Sequence, residues 1–322
     1  MKIAITGANG FLGSRLAFRL SDANTQTIAI LREGANLQLL RSDAVIRVVD
    51  YSQPDSLLNV VQDCDVLIHN AGKVRTLTLE EMLEANLGIT RRVVDAVNQS
   101  KLKHFIYISS QAASAPSPNG EAIDEDYPSA PVNWYGKSKL WAEKMIQRSC
   151  KVPYTILRPV PVYGEGDKDF LALFKAADKG LCLGMGSDQQ LINMIHVDQL
   201  CDLIKLCLCN PVAYGETFFA SDGQSYTQRE ISDAIAKAVG RKSIHIRVPK
   251  LLANTVFVGG ELWQNVSGKT GLINRQKYLE LTAPHWNCTC AKAVRLLGWK
   301  PSGDLQDLLD KTCLWYRRYG WL

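Results

Sequence analysis

Tyr135 and Lys139 stand four residues apart in the helix-like stretch Tyr135-Gly136-Lys137-Ser138-Lys139-Leu140-Trp141-Ala142-Glu143, and on a helix they share one face. A phenol with a pKa of about 10 is a poor base at neutral pH, and a neighbouring ammonium favours its ionised form. The pair therefore reads as a proton-transfer device, although the same spacing also describes a solvated helix face. Ser109 and Ser110 close the apolar run 105–109. They stand where a hydroxyl would meet a reacting oxygen, or where it would simply cap the next turn.

A second group of residues suits an anion. Gly7, Gly10 and Gly13 lie in Thr6-Gly7-Ala8-Asn9-Gly10-Phe11-Leu12-Gly13, directly after Ile3-Ala4-Ile5. A strand turning through glycine into a helix presents bare N–H groups and a helix N-terminus, which together hold a pyrophosphate. The G-x-x-G-x-x-G spacing is one residue off the common G-x-G-x-x-G dinucleotide fingerprint. Three glycines also suit a structural turn, but the position after a buried-type strand at the start of the chain favours a cofactor loop.

Positioning these groups requires a scaffold, and the hydrophobic pattern supplies one. Runs rich in Val and Ile recur at 3–6, 27–31, 45–50, 65–69, 105–109 and 154–158, separated by helix-like stretches. Strands without polar alternation are buried on both faces, so the chain predicts an α/β, Rossmann-type doubly wound parallel sheet. Ligands then sit beyond the carboxyl ends of the strands. The pattern loosens after residue 163, which divides the chain into a nucleotide-binding domain over 1–163 and a smaller, interleaved substrate lobe over 164–322. A late strand at 216–221 is expected to return to the main sheet. Thr227-Gln228-Arg229-Glu230 opens a helix to Val239 with Gly240 as its stop, and 305–319 reads as an amphipathic surface helix.

Composition narrows the class. The 322 residues carry 37 basic and 32 acidic side chains without a basic tail or stripe, so nucleic acid is not expected as a partner. The first strand opens at Lys2, which predicts no signal or transit peptide. No apolar run reaches the roughly 18 residues of a membrane span; the nearest, 251–260, reads as a core or pocket-lining helix. Nine cysteines include the C-x-C pairs Cys207/Cys209 and Cys288/Cys290 but no zinc-type C-x-x-C, so no metal is expected. Reduced thiols point to a cytoplasmic location.

Glycine loop, serine after a central strand and Tyr/Lys on the next helix together resemble the short-chain dehydrogenase/reductase superfamily, in its extended, epimerase/dehydratase-type branch. Further motifs carry the resemblance along most of the chain: Asp50; His69-Asn70-Ala71-Gly72; Asn86-Leu87-Gly88-Ile89-Thr90; Arg158-Pro159 with Val162-Tyr163-Gly164; Ile195-His196-Val197-Asp198; and Leu297-Gly298-Trp299 with Pro301. The resemblance implies that Tyr135 is the general acid/base, that Lys139 holds the nicotinamide ribose and lowers the tyrosine pKa, and that Ser110 rather than Ser109 bonds the reacting oxygen. It places Gly7, Gly10, Phe11, Leu12 and Gly13 around the pyrophosphate and Asp50 and Tyr51 at the adenine. Ala71 and Asn86 would line the cofactor, and Pro159 to Val162 would touch the nicotinamide. It also implies a homodimer paired through helices near 80–99 and 135–149, and makes His196 structural.

The second strand ends in Arg32, followed by Glu33. An arginine there accommodates a 2′-phosphate and an acid bonds a 2′-hydroxyl, so Arg32, with Arg15 adding positive charge near the loop, favours NADP(H) over NAD(H). Two enzyme readings compete. The first is a reductase or dehydrogenase moving a hydride between nicotinamide and a ketone, aldehyde or secondary alcohol of a small apolar substrate. The second is a nucleotide-sugar epimerase or dehydratase. Ile192 stands where epimerases of the branch commonly place a diphosphate-binding arginine, and Leu279-Glu280-Leu281-Thr282 lacks a second; Arg275 or Lys277 are the available substitutes. Ser110-Gln111-Ala112 replaces the dehydratase Thr-Asp-Glu. Trp263, Trp286, Phe257 and Leu252 either line an apolar pocket or equally form the lobe core; between the two enzymes, the reductase or dehydrogenase is favoured. A cofactor-responsive binding module is a third possibility, opposed by the intact Ser110, Tyr135 and Lys139.

Overall fold

The apolar runs become the strands of one parallel sheet, with the run at 45–48 the exception to two-sided burial: it is the edge strand, and Val45, Ile46 and Val48 are exposed. The computed structural model describes every residue except Gly186, Asp188 and Leu272, and the side chains of all the rest except Leu183, Lys250 and Leu251. The first half comprises β1 (Lys2–Thr6), α1 (Phe11–Arg19), β2 (Gln26–Leu31), β3 (Val45–Val48), α2 (Pro54–Val61), β4 (Val66–His69) and α3 (Leu79–Leu83). A π-helical turn (Glu84–Gly88) leads into α4 (Ile89–Gln99), then β5 (His104–Ile108), α5 (Trp134–Ser149) and β6 (Tyr154–Pro159). The second half adds β7 (Val162–Tyr163), α6 (Asp169–Asp178), β8 (Leu181–Met185), β9 (Leu191–Ile192), β10 (Ile195–His196), α7 (Val197–Cys207) and β11 (Thr217–Ala220). It ends with β12 (Tyr226–Thr227), α8 (Gln228–Val239), β13 (Ile244–Val248), α9 (Lys250–Ser267), α10 (Arg275–Leu281), α11 (Ala291–Leu297) and α12 (Leu305–Arg318).

The main sheet runs β11-β6-β5-β4-β1-β2-β3, parallel throughout. All six expected strands are present, and the late one joins as expected, with Thr217 to Ala220 paired against Ile156 to Pro159. Strand order reverses between β1 and β4, so the loops after these two strands flank the crevice where such sheets bind ligands. One apolar cluster includes Ile5, Ile106, Leu157 and Phe218, and another Ile28, Leu67, Phe105 and Ile156. A third, around Tyr163, Phe174, Ile235, Leu309 and Tyr316, belongs to α6, α8 and α12. Thr227 and Glu230 form the expected capping box on α8, and Gly240 ends it at φ +78°.

Two expectations need correction. Positive charge from Arg15 is committed away from the glycine loop: its Nε lies 2.5 Å and its Nη2 2.8 Å from the Asp198 carboxylate, with Glu165 at 3.5 Å. Lys311 of α12 reaches the same two carboxylates at 2.7 and 3.1 Å. Glu165, His196 and Asp198 lie close enough to share a metal ion, but two of the chain's own cations already neutralise the acids. The other correction is α9, which packs only one side inward. Phe257 is buried, and Trp286 is buried beyond the helix, whereas Leu252 and Trp263 are exposed. The run 251–260 is therefore half surface, because the helix has neighbours on one face only.

His196 is the N-cap of α7: its Nδ1 accepts from the Asp198 N–H at 3.2 Å, and its own N–H donates to Gln199 Oε1 at 2.9 Å. Its structural assignment thus has a physical basis. Burial pushes the Glu165 carboxyl up, but contact with His196 and the nearby Arg15 overcome this and bring its pKa down to about 2. A carboxyl depressed in the fold stabilises above its unfolded pKa and ceases to as pH falls through the folded value. Glu165→Gln should therefore lower Tm at neutral pH, and the difference from the parent should vanish as pH falls from 4.5 through about 2. Thermal melts across that range check it.

Candidate active site

A cavity of about 420 Å³ opens over the carboxyl ends of the central strands and is lined by Phe11, Leu12, Ser110, Tyr135, Pro159 and Val162. These six residues come from four separate parts of the sequence reading. A larger cleft, about 760 Å³, lies at the amino ends of β1 and β2 beside Phe18 and Arg41 and holds none of the catalytic candidates.

Beside the cavity, the glycine loop is shaped by close approach. Gly7 adopts φ +66°, and a Cβ on Gly13 would lie 2.2 Å from the Gly7 carbonyl oxygen. Gly10 is the N-cap of α1 and offers no side chain to its first-turn amides, and that turn contains no acidic residue. Unsatisfied N–H groups at a helix start free of negative charge fit a pyrophosphate. The loop residues would hold the cofactor's phosphates.

Ser110 Oγ accepts from the Ala112 N–H at 3.1 Å, which leaves its own proton free to donate. Ser109, by contrast, gives its hydroxyl proton to the buried Glu143 carboxylate. That division favours Ser110 as the residue aimed at a reacting oxygen. Burial pushes the Tyr135 phenol up to about 12, opposed by Ser110 and reinforced by the Glu280 carboxylate. Lys139 is 4% exposed and donates to the Ile108 carbonyl at 2.8 Å, with its ammonium 4.8 Å from the Tyr107 ring centroid and 5.9 Å from that of Tyr135. Burial brings its own pKa down to about 8, partly opposed by Glu143. In this arrangement burial is the largest influence on the Tyr135 phenol.

The remaining expected residues divide. Arg32 is exposed and makes no side-chain hydrogen bond or ion pair among the described residues. Asp50 is exposed and accepts from the Ser52 N–H and hydroxyl at 2.8 and 2.7 Å. Tyr51 packs into the core cluster of Ile28 and Leu57. Ala71 donates its N–H to Thr6 Oγ1 at 3.1 Å, which draws the loop after β4 against β1. Asn86 is buried in the π-helical turn and joins that loop to α5, through Lys73 O at 2.9 Å and Ser138 Oγ at 2.8 Å. It braces that loop.

Several contributors escape a reading by motif. Asn133 caps α5 by accepting from the Gly136 N–H at 2.8 Å and extends its amide to Glu280 at 3.3 Å. Its residue type, just ahead of Trp134-Tyr135, was the available signal. Glu143 lies one turn beyond Lys139 and forms a buried pair with Arg158 at 2.7 Å. The i, i+4 spacing hinted at the first relation but not the second. Glu280 and Arg75, which reach the cavity from α10 and the loop after β4, carry no local signal. Removing one partner of a buried pair strands the other charge, so Glu143→Ala should cost roughly 3–5 kcal/mol. Denaturant unfolding monitored by circular dichroism checks this.

The description "NAD dependent epimerase/dehydratase family" belongs to the family profile that matches residues 3–218. The chain is 29% identical to a ceramide reductase of Caulobacter vibrioides over 99% of its length and 96% of that protein's. It is 28% identical to a UDP-glucose 4-epimerase of Vibrio cholerae, covering 96% and 94%. Among solved structures, gox2253 superposes with a TM-score of 0.83 at 22% identity, covering 99% of each chain. That likeness concerns the fold. With the profile spanning two-thirds of the sequence, the chain belongs to the NAD dependent epimerase/dehydratase family, within the extended short-chain dehydrogenase/reductase superfamily.

Proposed function

We propose that this protein reduces a ketone or aldehyde on an apolar substrate to the alcohol, with NADPH preferred over NADH, and runs the reverse oxidation through the same groups. The observation that carries the reading is the charge of the cavity wall. Its cations, Arg75 and Lys277, are both paired: Arg75 with Asp169 at 2.6 Å and Lys277 with Glu280 at 2.6 Å. A third carboxyl, Asp167, adds to the acidic side, with burial pushing its pKa up to about 6. Arg275 does not line the cavity, and Ile192 is apolar and bridges to Trp286. A sugar-nucleotide diphosphate would find no uncommitted cation there among the described residues, whereas its recognition ordinarily uses bidentate arginine.

The chain's own groups then divide the work. Pro159 and Val162 would hold a nicotinamide, which when bound would supply the hydride. Tyr135 gives its phenolic proton to the carbonyl oxygen as the hydride arrives at the carbonyl carbon. Ser110 donates a hydrogen bond to the same oxygen, and Lys139 holds the cofactor ribose. Residues 1–163 provide the nucleotide half and 164–322 most of the substrate wall. Free Arg32 supports the NADP preference. The names of two relatives accord with a ketone on an alkyl chain: the ceramide reductase, and a 2-alkyl-3-oxoalkanoate reductase of Shewanella oneidensis at 25% identity. A homodimer through α4 and α5 is supported by exposed Trp141 on α5.

The second reading, a nucleotide-sugar epimerase, is favoured by the Vibrio cholerae relative. Assaying nucleotide released on denaturation separates the two. An empty site that then binds NADPH more tightly than NADH supports the exchanging reductase; stoichiometric NAD carried through purification overturns it. Arg32→Asp should weaken NADPH by roughly tenfold or more, the worth of charge-assisted hydrogen bonds, while sparing NADH. Tyr135→Phe should lower kcat by roughly 100- to 10,000-fold with cofactor binding retained, read by stopped-flow oxidation of NADPH.

A further inference from the structure

The outward face of α9 carries a feature that reduction inside the cavity does not use. Leu252, Val256, Trp263 and Val266 fall on one stripe of the helix, with Leu262 beside it. They are 58%, 49%, 71%, 84% and 61% exposed. The opposite side packs inward: Phe257 meets Tyr278 of α10 at 5.8 Å between ring centroids, and Gln264 donates to the Ile273 carbonyl at 2.7 Å. A Cβ at Gly260 would lie 2.4 Å from that same carbonyl oxygen, so the helix is pressed against the segment leading to α10. The apolar stripe is thus not a core face turned the wrong way, because the core face is already occupied.

Charge around this stripe is one-sided. Residues 241–275 contain six Lys and Arg (Arg241, Lys242, Arg247, Lys250, Lys269 and Arg275) against a single acid, Glu261. That excess of five equals the formal charge of the entire chain, +5. An exposed Leu/Val/Trp face within a segment of such positive charge is the composition of a helix that lies in a lipid headgroup layer. The same excess opposes a symmetric pairing of two copies through this face, since the two segments carry like charge. No described helix is long and apolar enough to cross a membrane, so the contact is peripheral.

We propose that α9 docks this protein onto the surface of an anionic phospholipid bilayer through Leu252, Val256, Leu262, Trp263 and Val266. Its inner face abuts α10, whose Gln276, Lys277 and Glu280 line the cavity. Docking therefore sets the cavity wall beside the lipid, where an alkyl ketone resides.

Cosedimentation of the full chain with phosphatidylcholine vesicles, with and without phosphatidylglycerol, tests the proposal without turnover. A failed docking is thereby separate from a failed reductase reading. The protein is expected to pellet with the anionic vesicles, to remain in solution with the neutral ones, and to be released by high salt. The double variant Trp263→Glu/Val266→Glu, altering only exposed side chains, should bind at least roughly tenfold more weakly while its circular dichroism and NADPH binding stay unchanged. No pelleting with anionic vesicles, or equal pelleting of parent and variant, overturns the proposal. So does a parent dimer that the variant converts to monomer in sedimentation velocity, which would make the face a protein interface.

Discussion

A buried ammonium organises the cavity side of this molecule. Lys139 has no carboxylate in direct contact among the described residues; it is held by the Ile108 carbonyl and lies near the rings of Tyr107 and Tyr135. A cation so placed is costly unless its partners are fixed, because a shift of a fraction of an ångström leaves it unsolvated and unpaired. The first turns of α5 must therefore press against the end of β5. Gly136 permits this: a Cβ there would lie 2.0 Å from the Ala112 carbonyl oxygen. The glycine between tyrosine and lysine is a steric requirement for bringing phenol, ammonium and Ser110 together. Asn133, Glu143 and Arg158 hold the same helix from its cap and its flank.

The substrate side grips that helix as well. Gln276 accepts from the Trp134 N–H at 2.9 Å, and Glu280 accepts from Asn133. Helices α5 and α10 are hydrogen-bonded at the point where the phenol begins. Glu280 also favours the protonated Tyr135 phenol, so a carboxylate more than a hundred residues away in sequence bears on that side chain.

The sheet, the glycine loop and the juxtaposition of Ser110, Tyr135 and Lys139 were legible in the sequence because each rests on local rules. Two-sided burial made β1, β2, β4, β5 and β6 apolar runs, whereas β3 shares the pattern from an exposed sheet edge; a capping box announced α8, and four-residue spacing placed Tyr135 above Lys139. Long-range pairing was not legible. Arg15 stands close enough to the loop in sequence to suggest phosphate binding, yet Asp198, distant along the chain, claims its charge. Local pattern likewise read 251–260 as interior, since an apolar helix that faces outward has the same periodicity as one that faces inward. Glu280 and Arg75 reach the cavity only through tertiary placement, which no spacing encodes. The resemblance alone separated Ser110 from Ser109; the physical ground, the Ser109 hydroxyl given to Glu143, is a tertiary contact.

The position of β11 has a consequence for biosynthesis. Its four residues complete the sheet beside β6, but they are made only after the intervening stretch 160–216. Until then β6 is an edge strand with the row of unpaired amides and carbonyls that invites another chain. Emerging polypeptides pass through a window in which a nearly finished parallel sheet has one open margin, and non-local pairing of this kind forms slowly. Truncation before residue 217 would make that window permanent, so shortened forms of this protein are destined for aggregation or chaperone capture rather than for a free nucleotide-binding domain.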